Sequence, residues 1–236
     1  MDIIELVNSK DWPLAVDPKY IVNNDEDKNI RASSILRVFV QEPLQGKKFL
    51  DFGCGDGHVV THARYQTNDA YGYDIKANNV EGCTQDFGEI RSHGPYDIIL
   101  AFDVFDHMRN QEEIIESIEN LRNLSHSGTN ILFRLHPWTS RHATHAYYSF
   151  NKAYAHILLE KEHSIQVLNI TRPVKFYNNL FRMFKILETK RHIQTLEPIL
   201  QIPEVVKEFE KKLDGTGEWQ QHVLPIQFLD YKLRIC

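Results

Sequence analysis

The chain has 236 residues, 42% hydrophobic and 25% charged, with a net charge of -5 when histidine is neutral. That size suits one well-buried globular domain and is short for two. The acidic balance argues against a broad phosphate-tracking surface, because nonspecific nucleic-acid affinity comes mainly from basic side chains.

No apolar stretch approaches the roughly 20 residues that cross a bilayer, so no membrane association is expected. The N-terminus Met-Asp-Ile-Ile-Glu-Leu lacks the basic region and apolar core of a signal peptide. Three cysteines (Cys54, Cys83 and Cys236) form no CxxC pair and no obvious disulfide framework, which fits a reducing, cytoplasmic setting.

Residues 1–29 are polar and mixed, and Asn23-Asn-Asp-Glu-Asp-Lys-Asn29 reads as a solvated loop. Ala32, Ile35, Leu36 and Phe39 recur at helical spacing and predict a helix that Pro43 and Gly46 end. Residues 1–45 therefore read as an N-terminal helical region. Phe49-Leu-Asp-Phe52 reads as a buried strand entering the turn Gly53-Cys-Gly-Asp-Gly57 and then a helix. Glycines at alternate positions suit a loop whose backbone passes close to a nucleotide-like ligand. A side chain at Gly53 or Gly55 would block the approach, and the turn calls for φ values that glycine adopts cheaply. A tight structural turn is the plain alternative.

Ala70-Tyr-Gly-Tyr-Asp-Ile75 is the next strand and ends at Asp74, about twenty residues past the glycines, where an acid reaches ribose hydroxyls in a βαβ nucleotide site. Gly82–Phe87 is a weak third strand that presents Asp86 and Phe87. Tyr96–Phe102 is a near-continuous apolar run, as expected of a parallel strand covered on both faces. Asp103, Asp106 and His107 lie at its carboxyl end, where open α/β sheets bind ligands. Ile114, Ile115, Ile118 and Leu121 make the apolar stripe of a surface helix. Ser125–Gly128 reads as a turn and Asn130–His136 as the fifth strand.

Residues 137–170 read as a lid-like insertion over the site, with Tyr147, Phe150, Tyr154, Ile157 and Leu158 on one helical face. That aromatic stripe serves core packing or, alternatively, base stacking. Phe184–Lys190 is a sixth strand. Residues 195–217 are a second insertion with an amphipathic helix through Val205, Val206, Phe209 and Leu213, closed by Gly215 and Gly217. Leu224–Ile235 supplies a terminal strand.

Asp51-Phe-Gly-Cys-Gly-Asp-Gly57, followed by Asp74, Asp86 and Val104-Phe-Asp-His-Met108, resembles the class I S-adenosylmethionine-dependent methyltransferases. The resemblance covers roughly residues 28–136, and beyond them only the order of elements. It implies a single Rossmann-like α/β domain over 1–236. The sheet would have seven mostly parallel strands, helices on both faces and an antiparallel C-terminal strand inserted beside strand five. It implies S-adenosyl-L-methionine as cofactor, contacted by Asp51, Gly53, Cys54, Gly55, Asp74, Ile75, Asp86, Phe87, Phe102 and Asp103. The amides of Gly53 to Gly57 would face the methionine part, Asp74 the ribose, and Asp86 the adenine amino group with Phe87 against the ring. A nicotinamide dinucleotide prefers Gly-x-Gly-x-x-Gly, a spacing this chain lacks. Ala101-Phe-Asp-Val-Phe105 departs from the Asn/Asp-Pro-Pro-Tyr motif of DNA amino-methylases and disfavours that acceptor.

His107, with Asp106 beside it, has the position and intrinsic pKa of a general base; a structural cap or cofactor neighbour is the alternative, since methyl transfer needs mainly alignment. Five of the twelve histidines fall between His136 and His163. His136, Arg141, His142 and His145 beside Trp138 suggest an acceptor pocket, with Arg141 for an anionic group and His136 as a base. A metal site at His136, His142 and His145 matches no zinc spacing, so no metal is expected, and a solvated lid is the third reading. Lys175, Arg182, Lys185, Lys190 and Arg191 are a thin basic series, a nucleic-acid path or simply a charged helix face and strand edge. The expected activity is methyl transfer to an oxygen or nitrogen of a small or medium polar acceptor. An RNA or cap methyltransferase and a noncatalytic scaffold subunit are the alternatives, and oligomerisation is open.

Overall fold

The computed structural model describes residues 2–15, 24–108, 110–137, 140–141, 151–158, 174–193, 198–213 and 226–236. Seven strands form one sheet in the order β3-β2-β1-β4-β5-β7-β6. They are β1 (Phe49–Phe52), β2 (Ala70–Tyr73), β3 (Cys83–Thr84), β4 (Tyr96–Phe102), β5 (Ser125–Leu135), β6 (Lys185–Ile193) and β7 (Ile226–Arg234). β7 runs antiparallel to both β5 and β6, and the other pairings are parallel. This is the mostly parallel sheet with an inserted antiparallel C-terminal strand that the sequence predicts.

Alternation along the strands builds two cores. Leu50, Phe52, Ile99, Ala101, Ile131, Phe133, Leu229, Tyr231 and Leu233 face one side. There they meet Ile90 of α4 (Phe87–His93), Ile114, Ile118 and Leu121 of α5 (Gln111–Asn123), and Tyr177 of α7 (Val174–Leu180). Phe49, Ala70, Ile98, Leu100 and Leu132 face the other side. They pack under α3 (His58–Arg64) and a π-helical turn, Ile35–Val40, that continues α2 (Asp25–Ser34). Beyond Leu132 this second face turns polar, with Arg134 on β5, Asp230 and Lys232 on β7, and Glu188, Lys190 and His192 on β6. A strand with one apolar and one polar face is the normal pattern where a sheet is covered on a single side.

Residues 23–29 are not all loop. Asn24 caps α2, its side-chain oxygen accepting from Asp27 N at 2.8 Å, and Asp25, Glu26 and Asp27 fill the acidic first turn. Acids there favour the positive end of the helix dipole. Ser125–Gly128 is likewise no simple turn. It begins β5 and then bulges, because Tyr96 pairs with Ser125 whereas Ile98 pairs with Asn130. Thr129 Oγ1 donates to Tyr96 O at 2.6 Å and locks the bulge.

A smaller apolar cluster lies apart from the sheet. Val7 of α1 (Ile3–Asn8), Trp12, Tyr154, Leu158 at the end of α6 (Ala155–Leu158), and Val205 and Phe209 of α8 (Pro203–Leu213) pack together. Trp12 Nε1 donates to Ala153 O at 2.9 Å. Segments 3–12, 153–158 and 202–209 thus contribute to one cap, and Tyr154 serves it as core packing against Phe209. Tyr147, Phe150, Gly215 and Gly217 lie outside the described residues. Among the described residues no helix is long and apolar enough to cross a membrane.

Candidate active site

Strand order reverses between β1 and β4, and the loops after these two strands meet at the carboxyl edge of the sheet, the usual ligand crevice of such folds. Gly53 has φ +89°, and a Cβ there would lie 2.5 Å from Val104 Cγ2. Packing against the β4 loop, rather than a ligand, is therefore what demands glycine at 53. Gly55 is the opposite case, for its φ is +51° and nothing of the protein lies within 4 Å of a Cβ position.

The loop amides are turned inward. Gly53 N and Cys54 N both donate to Tyr73 O (2.7 and 3.1 Å), Gly55 N to Asp74 Oδ2 (3.0 Å) and Gly57 N to Cys54 O (2.9 Å). The expectation that the amides of Gly53 to Gly57 face the cofactor is corrected for these four, since their hydrogens hold the loop itself. Cys54 is buried beside Cys83 and Val60.

A cleft of about 660 Å³ opens beside the loop, lined by Phe52, Gly53, Tyr73, Asp74, Ile75, Phe87, Asp103, Val104, His107 and Met108 among others. Asp74 Oδ1 also accepts from Lys76 N at 2.8 Å. A carboxylate oxygen accepts two bonds, so Asp74 retains acceptor capacity toward the cleft. Asp86 caps α4, accepting from Gly88 N at 2.7 Å, and Phe87 packs edge-on to Tyr73 with ring centroids 5.2 Å apart. His107 is exposed and lines the cleft, whereas Asp106 is fully buried. Burial removes Asp106 from direct contact with a ligand. Its charge acts instead on Asp103.

Asp103 stands where β4 ends, in a left-handed conformation (φ 55°). Its Oδ2 accepts from Arg31 Nη2 at 3.0 Å, and its buried Oδ1 lies 3.5 Å from His136 Nε2. Burial, with the neighbouring Asp106 charge, pushes its carboxyl up to about 7. His136 is buried, with Nδ1 3.2 Å from Ser140 Oγ and its ring 4.6 Å from that of Phe228. Asp51, buried under the glycine loop, is also pushed up to about 7, by burial and then by Asp74.

Two further spaces adjoin. A hollow of about 250 Å³ is bordered by Lys28, Arg31, Asp51, Gly55, Asp56 and Phe102. A groove of about 740 Å³ runs between α2 and the polar face of β5, β7 and β6. Within it Arg134 forks onto Asp230 with two bonds of 2.7 Å, and His192 Nε2 lies 2.6 Å from the same carboxylate. The guanidinium of Arg134 sits 4.7 Å from the ring of Phe102, 5.1 Å from Phe39 and 5.4 Å from Phe228. Phe102 borders both hollow and groove, and Asp103 borders both groove and cleft, so the three spaces meet at this pair.

A family model described as a methyltransferase domain matches residues 26–169. The chain belongs to that family. No curated protein matches it by sequence search. Among solved structures it is similar to a SAM-dependent methyltransferase from Archaeoglobus fulgidus, at 15% identity and TM-score 0.51, over 88% of this chain and 94% of that one. It is also similar to the N-methyltransferase NodS from Bradyrhizobium japonicum WM9 in complex with S-adenosylhomocysteine, at 10% identity and TM-score 0.51, over 98% and 95%. At such identities the likeness shows the fold alone.

As a member of that family the chain is a methyltransferase, and its sequence resemblance implies S-adenosylmethionine as the methyl donor. The residues fit that group. The cleft lies in the range of ligand pockets, roughly 300–1,000 Å³, and the open space before Gly55 is one that a Cβ would fill.

Of the residues singled out in the sequence, Gly53, Asp74, Ile75, Phe87, Asp103 and His107 line one cleft, and Asp51, Cys54, Gly55 and Phe102 border the adjoining hollow. Arg141 is drawn elsewhere, with Nε and Nη2 donating to Leu14 O at 3.0 and 2.6 Å, so it clamps the N-terminal segment. Trp138, His142 and His145 lie outside the described residues. Among the described residues no group of three or more His, Cys, Asp or Glu is arranged to hold a metal.

Sequence reasoning missed Lys28 and Arg31, which sit on α2. The signal was there in Asn24-x-x-Asp27 before a polar helix. It also missed Arg134, Asp230 and Phe228. The alternation Asp230, Lys232, Arg234 against Leu229, Tyr231, Leu233 marks that polar face.

Proposed function

We propose that this methyltransferase acts on an oxygen or nitrogen nucleophile of a small or medium polar acceptor, which enters along the 740 Å³ groove and meets the cofactor at Phe102 and Asp103. The observation that carries this reading is that groove, hollow and cleft converge on these two residues. Asp74 takes the ribose hydroxyls, and Phe87 with Asp86 flanks the adenine. Gly55 leaves room for the methionine part, and Arg31 and Lys28 border its charged end. When bound, the cofactor supplies an electrophilic methyl group. The protein's task is then to align the nucleophile and take its proton.

Asp103 is the proton acceptor in this reading. A carboxyl with a pKa near 7 is matched to proton transfer at neutral pH. Its Oδ1 faces His136, which steadies the carboxylate once charged, while Arg31 fixes the other oxygen. His107 at the cleft rim and Asp106 beneath it take supporting roles.

Calorimetric titration with S-adenosylhomocysteine tests the cofactor half. The wild type should bind with micromolar affinity, and Asp74→Ala should lose that binding. Arg141→Ala, whose guanidinium holds Leu14, should keep it. Equal binding by Asp74→Ala and the wild type would sink the assignment of the ribose site.

A further inference from the structure

We propose that Cys54 and Cys83 form a redox-reactive dithiol site, which an oxidising low-molecular-weight disulfide such as oxidised glutathione converts to an internal disulfide that alters the cofactor loop. Cys54 belongs to the glycine loop, and Cys83 opens β3, two strands away from β1 in the sheet. β2 lies between them, and Gly72 of β2 pairs in register with Cys83. A Cβ at Gly72 would lie 2.8 Å from Cys54 Sγ. The Cys54 thiol therefore crosses over β2 at the one strand position that has no side chain. Cys83 Sγ lies 2.9 Å from the Cβ position of Gly57, at the far end of the same loop.

Both thiols pack in one small cluster with Val60 and Ala77. Their environments differ. The neighbouring Cys54 thiol holds the Cys83 thiol below its ordinary value, against the effects of burial and the Asp51 charge, and the Arg64 charge adds to this lowering. The same contact, with burial, pushes Cys54 up. Cys83 is also the more exposed of the two. Thiolate character and access make it the attacking sulfur.

The exchange balances in two steps. Cys83 thiolate attacks one sulfur of the oxidant R–S–S–R, forming Cys83–S–S–R and expelling RS⁻. Cys54 sulfur then attacks Cys83 Sγ in that mixed disulfide, forming the Cys54–Cys83 bond and expelling the second RS⁻. The two cysteine protons end on two RSH molecules, and the oxidant gains the two electrons the protein sulfurs lose. Burial of Cys54 is no obstacle, because the oxidant never has to reach it.

A disulfide needs its sulfurs about 2.05 Å apart, closer than packed thiols approach, so closure draws Cys54 toward β3. Cys54 sits between Gly53 and Gly55, whose amides bond Tyr73 O and Asp74. The expected consequence is weaker cofactor binding. That consequence rests on the proposed cofactor site, whereas the disulfide itself does not.

The test is peptide mapping of the reduced full chain after incubation with oxidised glutathione and alkylation of remaining thiols. S-adenosylhomocysteine titration is run in parallel. A linked Cys54–Cys83 peptide is expected, with exposed Cys236 glutathionylated as an internal control. Affinity should fall at least about tenfold, equivalent to about 1.4 kcal/mol, and return with dithiothreitol. Cys83→Ser should bind in the reduced state and ignore the oxidant. Cys54 and Cys83 both still alkylatable once Cys236 has fully reacted would overturn the dithiol site. A linked peptide with unchanged affinity would overturn its effect on the loop. Failure of the reduced wild type to bind would sink the cofactor reading and leave the peptide map to judge the disulfide.

Discussion

Gly53 and Gly55 share a motif and a left-handed backbone, yet alanine at each should do different damage. At Gly53 the φ of +89° and the 2.5 Å approach to Val104 Cγ2 act together. Left-handed strain costs roughly 1–2 kcal/mol, and forcing a methyl into packed space costs about 1–3 kcal/mol. Together that is about 2–5 kcal/mol, a fall in Tm of roughly 4–20 °C for a chain of this size. At Gly55 only the strain applies, so the loss should be about 1–2 kcal/mol, or roughly 2–8 °C. The new methyl there enters the space assigned to the cofactor, and S-adenosylhomocysteine affinity should fall at least about tenfold, or about 1.4 kcal/mol. Calorimetric melting and titration of both variants separate the effects. Wild-type affinity in Gly55→Ala, or equal melting of the two variants, would refute the division of labour.

Two predictions concern charge. Asp51 is pushed up to about 7 by burial and by Asp74, so the folded state binds its proton more tightly than the unfolded chain. Its contribution to stability therefore falls as pH rises from about 4 to about 7. Asp51→Asn should gain Tm over the wild type at pH 8 and lose that gain by pH 4.5; a gap independent of pH would contradict the assignment. Asp230→Ala should cost about 3–5 kcal/mol in chemical denaturation, because it strands the largely buried Arg134. A loss under about 1 kcal/mol would mean solvent already screens the pair.

The sheet was legible because its signals are local and strong. Phe49–Phe52 and Tyr96–Phe102 are apolar runs each interrupted by a single aspartate, and the glycine turn with Asp74 points to which ends of the strands carry the candidate site. α2 was hidden because Asn24 to Asn29 is uniformly polar, and its helicity comes from a cap and a dipole rather than an apolar stripe. The cap was hidden for a different reason. Val7, Trp12, Tyr154 and Phe209 are widely separated in sequence, and each segment looks marginal until the others cover it. The role of Gly53 was misjudged for the same reason, since nothing local tells that Val104 returns from β4 to fill the space.

The polar face beyond β5 bears on the acceptor. Lys190 pairs with Glu188 at 3.1 Å, Lys232 with Glu42, and Arg134 with Asp230. Nucleic acid binding requires cations that exchange condensed counterions for phosphates; Lys232 and Arg134 are already matched to half-buried or buried carboxylates of the fold, and Lys190 to its exposed strand neighbour Glu188. The groove they line instead presents the rings of Phe39, Phe102 and Phe228 around a single forked guanidinium. Such a wall offers apolar contact along its length and fixed polar groups at a few points, the pattern of a small-molecule site. The charge of Arg134, held in a cross-strand pair with Asp230, also needs little reorganisation when a ligand enters. Of the thin basic series read in sequence, only Lys190 lines this groove, and there it meets Glu188; the groove's lining therefore supports the proposed compact acceptor over a nucleic-acid path.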